Sequence, residues 1–350
     1  MTQTSKKVSS SSIDCSQDAS YGEPMTTDTM RALVATGYGD PEQLTIAELA
    51  VPRPGPGQIL VKIAASTINP TDIRVVTGAF RELVDLQFPY TLGNEFAGTV
   101  TEAGPDVTRF RAGDEIFGLA LPRQLSLVAD PVRPSLSTGA LADYAVFEAD
   151  TPALDHRPAT LGAEQAASLM IAGGTTLTIM DTAKVRPGES VFVIGATGAV
   201  GLTLIPELAA AGAEITATAR TTEAAELLRS LGAHHTVGYD DYPSGVDVVL
   251  NLALFADGLP AAAHSLRPGG RLISIIFPPP DPRQLERDDV ELAFVMQTGD
   301  ETNGARAVAE AATAGRLSTP IARRYSLDDG VEAAIDYARR HPLGKIVVTV

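Results

Sequence analysis

The segment Val191–Gly201 (VFVIGATGAVG) joins an apolar, β-branched run directly to a turn of small residues, and Leu202–Ala211 continues it with a helical pattern. Strand, small-residue turn and helix in that order make a seat for a pyrophosphate. Glycine lets the backbone come close, and the first turn of the helix presents free N–H groups at the positive end of its dipole. The spacing follows G-x-G-x-x-G, with Ala196 in the first glycine's place and Gly198 and Gly201 in the other two. Ala196, Thr197, Gly198, Ala199 and Val200 are therefore the expected dinucleotide contacts. A plain strand-to-helix turn uses the same small residues, and the motif alone does not separate the two readings.

The elements that would position this turn follow it in sequence. Glu214–Ala219 reads as a second strand with a helix over Thr221–Leu231, and Val246–Leu252 and Gly270–Phe277 read as buried strands with a helix over Ala256–Leu266 between them. Strands alternating with helices predict a doubly wound parallel sheet. In such sheets an acidic residue about 20–25 residues past the turn holds the ribose of NAD. Here the position reads Ala219-Arg220-Thr221-Thr222, with no acid before Glu223. A carboxylate would repel a 2′-phosphate, whereas an arginine beside hydroxyls attracts one. Arg220 and Thr221 thus point to NADP(H) over NAD(H); the alternative is that Arg220 is a solvated surface charge.

Upstream the pattern is different. Arg31–Ala35, Leu44–Leu49, Gln58–Ser66, Glu95–Glu102, Glu115–Leu119 and Ala142–Glu148 read as strands broken by Pro and Gly clusters such as Pro52–Gly57. This predicts a compact β-rich domain. Lys345–Val350 is a further β-branched strand, reached after helices near Asn303–Ala314 and Leu327–Arg340, and it has no partner nearby in sequence, so it is expected to return to the first domain. Residues 1–29, rich in Ser, Thr and Asp, are expected to form a disordered leader.

A net charge of −16 opposes binding to nucleic acid or anionic membranes. No apolar run approaches the roughly 20 residues that span a bilayer. The one cysteine, Cys15, excludes an internal disulfide and a thiolate-rich zinc site. These features make a cytoplasmic location the expectation.

Several further motifs occur in a fixed order: Asn69–Asp72 (NPTD), Gly93–Gly98 (GNEFAG), Phe110–Asp114 (FRAGD), Gly139–Tyr144 (GALADY), Ala172–Thr176 (AGGTT), Arg186–Gly188 (RPG), Leu231–Ala233 (LGA), Arg267–Gly270 (RPGG) and Gly344–Val348 (GKIVV). With the glycine turn they make the chain, from Met30 on, resemble the medium-chain dehydrogenase/reductase superfamily in its zinc-free quinone-oxidoreductase and enoyl-reductase branch. The resemblance implies an α/β protein with a GroES-like catalytic domain over 30–155 and 316–350, a Rossmann NADP-binding domain over 156–315, and an active site in the cleft between them.

The same resemblance speaks to the site. Zinc-dependent members carry cysteine and histidine where this chain has Asn69 and Asn94, and amides replace zinc ligands poorly, so no metal is expected. In relatives the asparagine of NPxD lies near the nicotinamide, which makes Asn69 the leading polar candidate for the reacting centre; its alternative is an N-cap on a short helix over Pro70–Val76. Asp72 reads as structural. Thr175 and Thr176 fall where the family's inter-domain segment approaches the nicotinamide carboxamide, or else serve as helix-entry hydroxyls. Tyr239 matches a tyrosine stacked near the adenosine, and Asn251 replaces a more usual aspartate near the nicotinamide ribose. Two departures stand out: Phe80 occupies the place of a proton-donating tyrosine, and Ala224 that of a lysine.

The expectation is an NADPH-dependent, zinc-independent reductase of an activated C=C bond or a quinone, acting on a small apolar or conjugated carbonyl substrate. Phe80, Leu119, Phe255, Phe277 and Phe294 are candidates to line its pocket. A homodimer formed through Gly270–Phe277, as a sheet edge, is implied. Five lysines against 22 arginines suggest a GC-rich bacterial genome, compatible with polyketide tailoring. The rival is a non-redox descendant that uses the cleft for ligand binding, cyclisation or regulation; Phe80, Ala224 and Asn251 keep it open.

Overall fold

The computed structural model describes residues 28–82, 86–120, 139–297 and 299–350. The expected leader lies outside them as far as residue 27, and Thr29, its last expected residue, already begins the first strand.

Alternation builds the N-terminal domain. In β3 (Gln58–Ile68), Val61, Ile63 and Ala65 face the core while Lys62 and Ala64 face out. This strand pairs antiparallel with β5 (Glu95–Ala103), with β7 (Tyr144–Glu148) and with β16 (Lys345–Thr349). The sheet is completed by β6 (Glu115–Leu119), β8 (Leu154–His156) and β15 (Ile321–Ser326), in the order β15-β16-β3-β5-β6-β8. The C-terminal strand returns as expected, Ile346 lying opposite Ile68. A smaller sheet of β1 (Thr29–Ala35), β2 (Thr45–Ala50) and β4 (Tyr90–Thr91) closes one side. The fold matches the GroES-like expectation.

The second sheet is parallel throughout, in the order β11-β10-β9-β12-β13-β14. Its strands are β9 (Ser190–Ile194), β10 (Glu214–Thr218), β11 (His235–Val237), β12 (Val246–Asn251), β13 (Leu266–Ser274) and β14 (Glu291–Phe294). Helices α3 (Ala199–Ala210), α4 (Thr222–Ser230) and α5 (Leu259–His264) connect them in the Rossmann manner. One expectation needs correcting. The strand expected over Gly270–Phe277 is not an edge: it begins at Leu266, ends at Ser274, and carries β14 along its outer side. β14 went unread because it is only four residues long and its flanks carry mixed charge. The expected dimer edge, as located in the sequence, is therefore covered.

The long helix α2 (Ala163–Ala183) links the two halves. Its first turns (Ala166, Ala167, Leu169, Met170) pack with Ala65, Ala97, Phe117 and Val347 of the antiparallel sheet, and Val308 and Ala311 of α6 (Ala305–Thr313) join the same core. Its last turns, Ile179 and Ala183, pack instead against Val191 and Ile205 of the parallel half. Segments assigned to 156–315 by sequence thus divide their packing between both cores. Helix α7 (Gly330–Arg340) covers β1 and β16.

Candidate active site

The turn after β9 has the shape the sequence implied, with one reassignment. Gly195 takes φ +82°, in the left-handed region, and its N–H donates to Thr218 Oγ1 at 2.9 Å. A Cβ there would sit 2.7 Å from the Ala253 Cβ. The tight turn therefore depends on Gly195, one residue before the position matched to the fingerprint. Ala196 is fully buried in the Rossmann core, so it offers only backbone to a ligand, and Val200 packs partly buried beside it. Gly198 is the N-cap of α3 with φ −73°, and a Cβ there would meet only the Gly195 oxygen, at 3.5 Å. Gly201 lies against the Ala196 carbonyl, which a side chain would strike. Helix α3 therefore starts at Ala199, three residues earlier than the pattern suggested.

At the far end of β10, Arg220 is exposed and places its Cζ 5.0 Å from the centre of the Tyr239 ring. Thr221 caps α4 by accepting from Ala224 N at 3.1 Å, which leaves its hydroxyl proton available. Ala224 is buried, so a lysine there would not lie on the surface without displacing its neighbours. His234 accepts from Ile215 N at 3.1 Å, and His235 is in β11.

The two hydroxyls expected near the nicotinamide differ. Both lie mid-helix in α2, not at its entry. Thr175 is 7% exposed and makes no side-chain hydrogen bond among the described residues, whereas Thr176 is sealed, with its Oγ1 buried and unpartnered. Asn251 is also sealed. Its Nδ2 donates to the Leu254 carbonyl (2.9 Å) and to Ser274 Oγ (3.1 Å), and its Oδ1 accepts from the N–H groups of Ala253 and Leu254. It shapes the loop after β12, and its side chain keeps no group for a ribose.

Across the cleft, α1 (Pro70–Val76) begins at Asn69. Asn69 is buried, and its amide belongs to a closed network. Nδ2 donates to Thr67 Oγ1 (3.0 Å) and Glu95 Oε1 (3.1 Å), and Oδ1 accepts from Lys345 Nζ (2.6 Å). Lys345 also pairs with Glu95 Oε1, whose other oxygen accepts from Ile171 N at 2.7 Å. Both amide protons of Asn69 are therefore engaged inside the protein, and neither is left for an oxyanion. Asp72 is structural as expected, accepting from Asn69 N and Gly93 N at 2.8 Å each. Burial, opposed by these two donors, pushes its carboxyl up to about 7.

The wall that faces the parallel strands is made by other residues. Asn94 Nδ2 donates to Thr71 Oγ1 at 2.7 Å, and Thr71 is exposed. Phe80 meets Phe277 edge-on with centroids 5.6 Å apart, and Phe294 lies 6.5 Å beyond Phe277. Arg74 packs over Phe80 and Phe255. Leu119, also expected in this lining, is instead buried in the core beneath α2. Tyr90 sits in the core under β1 and α7, and burial there raises its phenol well above the ordinary range, so it does not stand in for the missing tyrosine.

Sequence reasoning missed Gly195, Glu95, Lys345 and Arg74 as participants. Lys345 carried a usable signal, since it opens a β-branched strand with no other charge, where a lone charge must find a partner. The groups that keep hydrogen-bonding capacity among the described residues are the open glycine floor at Gly198, the N-terminus of α3, Arg220, which has no carboxylate partner there, and the largely buried Thr175 hydroxyl. No cluster of three or more His, Cys, Asp or Glu able to hold a metal occurs among the described residues.

The model of the alcohol dehydrogenase GroES-like domain matches residues 55–155, and that of the zinc-binding dehydrogenase family matches residues 231–348. The quinone oxidoreductase of Mus musculus is 30% identical over 261 residues, covering 70% of this chain and 73% of that protein. The chain belongs to the medium-chain dehydrogenase/reductase superfamily, in its quinone-oxidoreductase branch. A mycocerosic acid synthase-like polyketide synthase of Mycolicibacterium smegmatis is 29% identical over 348 residues; these cover 91% of this chain but 15% of the synthase. A mycobacterial protein solved with NADPH shares the fold, with a TM-score of 0.77, 24% identity, and coverage of 92% of this chain and 100% of that one. Membership makes this chain one of a superfamily of oxidoreductases. Among the described residues no helix is long and apolar enough to cross a membrane.

Proposed function

We propose that this protein uses NADPH, without zinc, to reduce an activated C=C bond or a quinone. The observation that carries the proposal is a contrast between the two ends of one cleft. Arg220, which has no carboxylate partner among the described residues, lies against Tyr239 at the end this reading gives to the adenosine, and an aromatic wall of Phe80, Phe277 and Phe294 lies at the other. Bound NADPH would supply the hydride; its 2′-phosphate would be held by Arg220 and Thr221, its pyrophosphate by the α3 N-terminus, and its carboxamide by Thr175.

The remaining task is to stabilise an enolate or hydroquinone oxyanion. Asn69, the first candidate, keeps no free proton for it. Thr71 takes over: Asn94 donates into its oxygen, so its own proton is free to donate. Zinc independence rests on donor chemistry. Asn69 and Asn94 are amides, and their Nδ2 groups already donate to protein acceptors. The relatives named for quinone reduction and for polyketide synthesis give the substrate class its range, and an enoyl substrate of polyketide tailoring falls within it.

The test is a parallel titration of NADPH and NADH followed by nicotinamide fluorescence, then an acceptor screen across enones and quinones. NADPH is expected to bind on the order of ten- to a hundred-fold tighter than NADH, and Arg220→Ala to abolish that preference. Equal binding of the two cofactors would overturn the phosphate assignment. A single observation favours the non-redox alternative, namely that neither Asn69 nor Phe80 has a proton to give. Tight NADPH binding with no acceptor consumed in the screen would decide for it.

A further inference from the structure

Most partly buried arginines in this chain have a carboxylate. Arg109, Arg157, Arg271, Arg287 and Arg323 each lie within ion-pair distance of an aspartate or glutamate. Arg74 does not. On the last turn of α1 it donates one N–H, from Nη1, to the Phe277 carbonyl at 3.0 Å. Its Cζ stands 4.7 Å from the centre of the Phe80 ring and 5.1 Å from that of Phe255. A guanidinium has five N–H donors, and the described residues supply an acceptor for one of them. Burial also lowers its pKa, the sign of a cation held away from water without a counter-charge.

The location gives this meaning. Phe255 follows the loop that Asn251 pins at the end of β12, and Phe277 follows the end of β13. Arg74 thus reaches from the catalytic domain to the carboxyl ends of the parallel strands, where open α/β sheets bind their ligands. Phe255 is 49% exposed, so the place opens to solvent. Rings flank the guanidinium and its remaining edge is free. Flat conjugated carbon would pack on the rings, and a planar anion matches the donor fork.

Resting on the reading of this cleft as the acceptor site, we propose that Arg74 is a specificity-determining residue that selects an acceptor bearing a carboxylate on its conjugated skeleton. Aromatic contacts hold the unsaturated part and Arg74 holds the carboxylate.

A binding experiment separates this from the redox reading. Protein loaded with NADP⁺ is titrated calorimetrically with 3-phenylpropionate and with its neutral amide, neither of which can be reduced at a C=C bond. The wild type is expected to bind the carboxylate on the order of ten-fold tighter or better. Arg74→Met should remove the preference while leaving amide affinity within about two-fold, and Arg74→Lys should keep part of it. Equal binding of the two probes, binding of neither, or an Arg74→Met variant that loses both alike would overturn the proposal, the last because Arg74 would then only shape the cleft. Carboxylate preference in a protein that reduces no acceptor would sink the reductase reading and leave this one standing. Reduction of neutral enones with no Arg74-dependent preference would do the reverse.

Discussion

The two walls of the cleft treat their polar groups in opposite ways. On the Rossmann side the groups proposed to meet the cofactor, namely the first turn of α3, the Arg220 guanidinium and the Thr175 hydroxyl, have no side-chain hydrogen-bond partner among the described residues. On the catalytic side nearly every buried polar group is engaged by another, from Lys345 and Glu95 through Thr67 and Asn69 to Asp72. On the proposed reading the first wall receives a ligand. The second is made to be rigid, and the groups that keep donors to spare, Thr71 and Arg74, stand two and five residues beyond Asn69 on the helix that the network anchors. A motif residue can therefore mark a site without touching what binds there.

The largest effect that tests this contrast is the loss of Lys345. Its ammonium is the counter-charge of the fully buried Glu95 and holds the Asn69 carbonyl oxygen. Lys345→Met leaves a carboxylate buried without its partner and should cost about 3–5 kcal/mol of stability in a denaturant titration. Adding Glu95→Gln should recover part of the loss, because the uncompensated charge goes with it. A Lys345→Met protein as stable as the wild type would mean that the network does not stiffen the catalytic wall.

Next in size is a pH effect. The Asp72 carboxyl is pushed up to about 7 by burial, from the ordinary 3.8. The unfolded chain gives up this proton near its ordinary value, whereas the folded protein keeps it to about pH 7. The protonated group therefore favours folding at low pH. That contribution should fall away as pH rises from about 4 to about 7 and stay lost above it, with at most about 4 kcal/mol at stake. Asp72→Asn should flatten this part of the stability profile measured against pH. If wild type and variant run parallel across that range, the site holds an ordinary carboxylate and the two walls are less different than they look.

Much of this was legible before the structure. The apolar run into Gly195–Gly201 forced a strand and a helix around a ligand-sized turn, and the alternating run in Gln58–Ser66 forced a half-buried antiparallel strand. What sequence could not show was depth. Asn69 and Asn251 read as ligand contacts by position, yet three-dimensional neighbours far along the chain, Lys345 in one case and Ser274 in the other, absorb their hydrogen bonds. Arg74 was passed over for the converse reason. Its significance lies in having no carboxylate partner among the described residues, which only their placement in three dimensions shows. Short β14 hid the true sheet edge because four residues carry too little periodicity to stand out from a loop.

The smallest effect is also the finest probe, because it compares two adjacent residues of one helix. The Thr176 Oγ1 is buried with no hydrogen-bond partner, while Thr175 retains some exposure. Thr176→Val removes an unsatisfied polar atom at almost constant shape and should raise stability by about 1–2 kcal/mol with NADPH affinity unchanged. Thr175→Val should do the opposite, leaving stability near wild type and weakening NADPH by a factor on the order of ten. Thermal unfolding and the fluorescence titration, run on both variants, read the two signs independently. If Thr176→Val weakens NADPH and Thr175→Val does not, the hydroxyl facing the cofactor is the buried one. Cofactor binding would then have to open α2, and the Rossmann wall would be no more preformed than its partner.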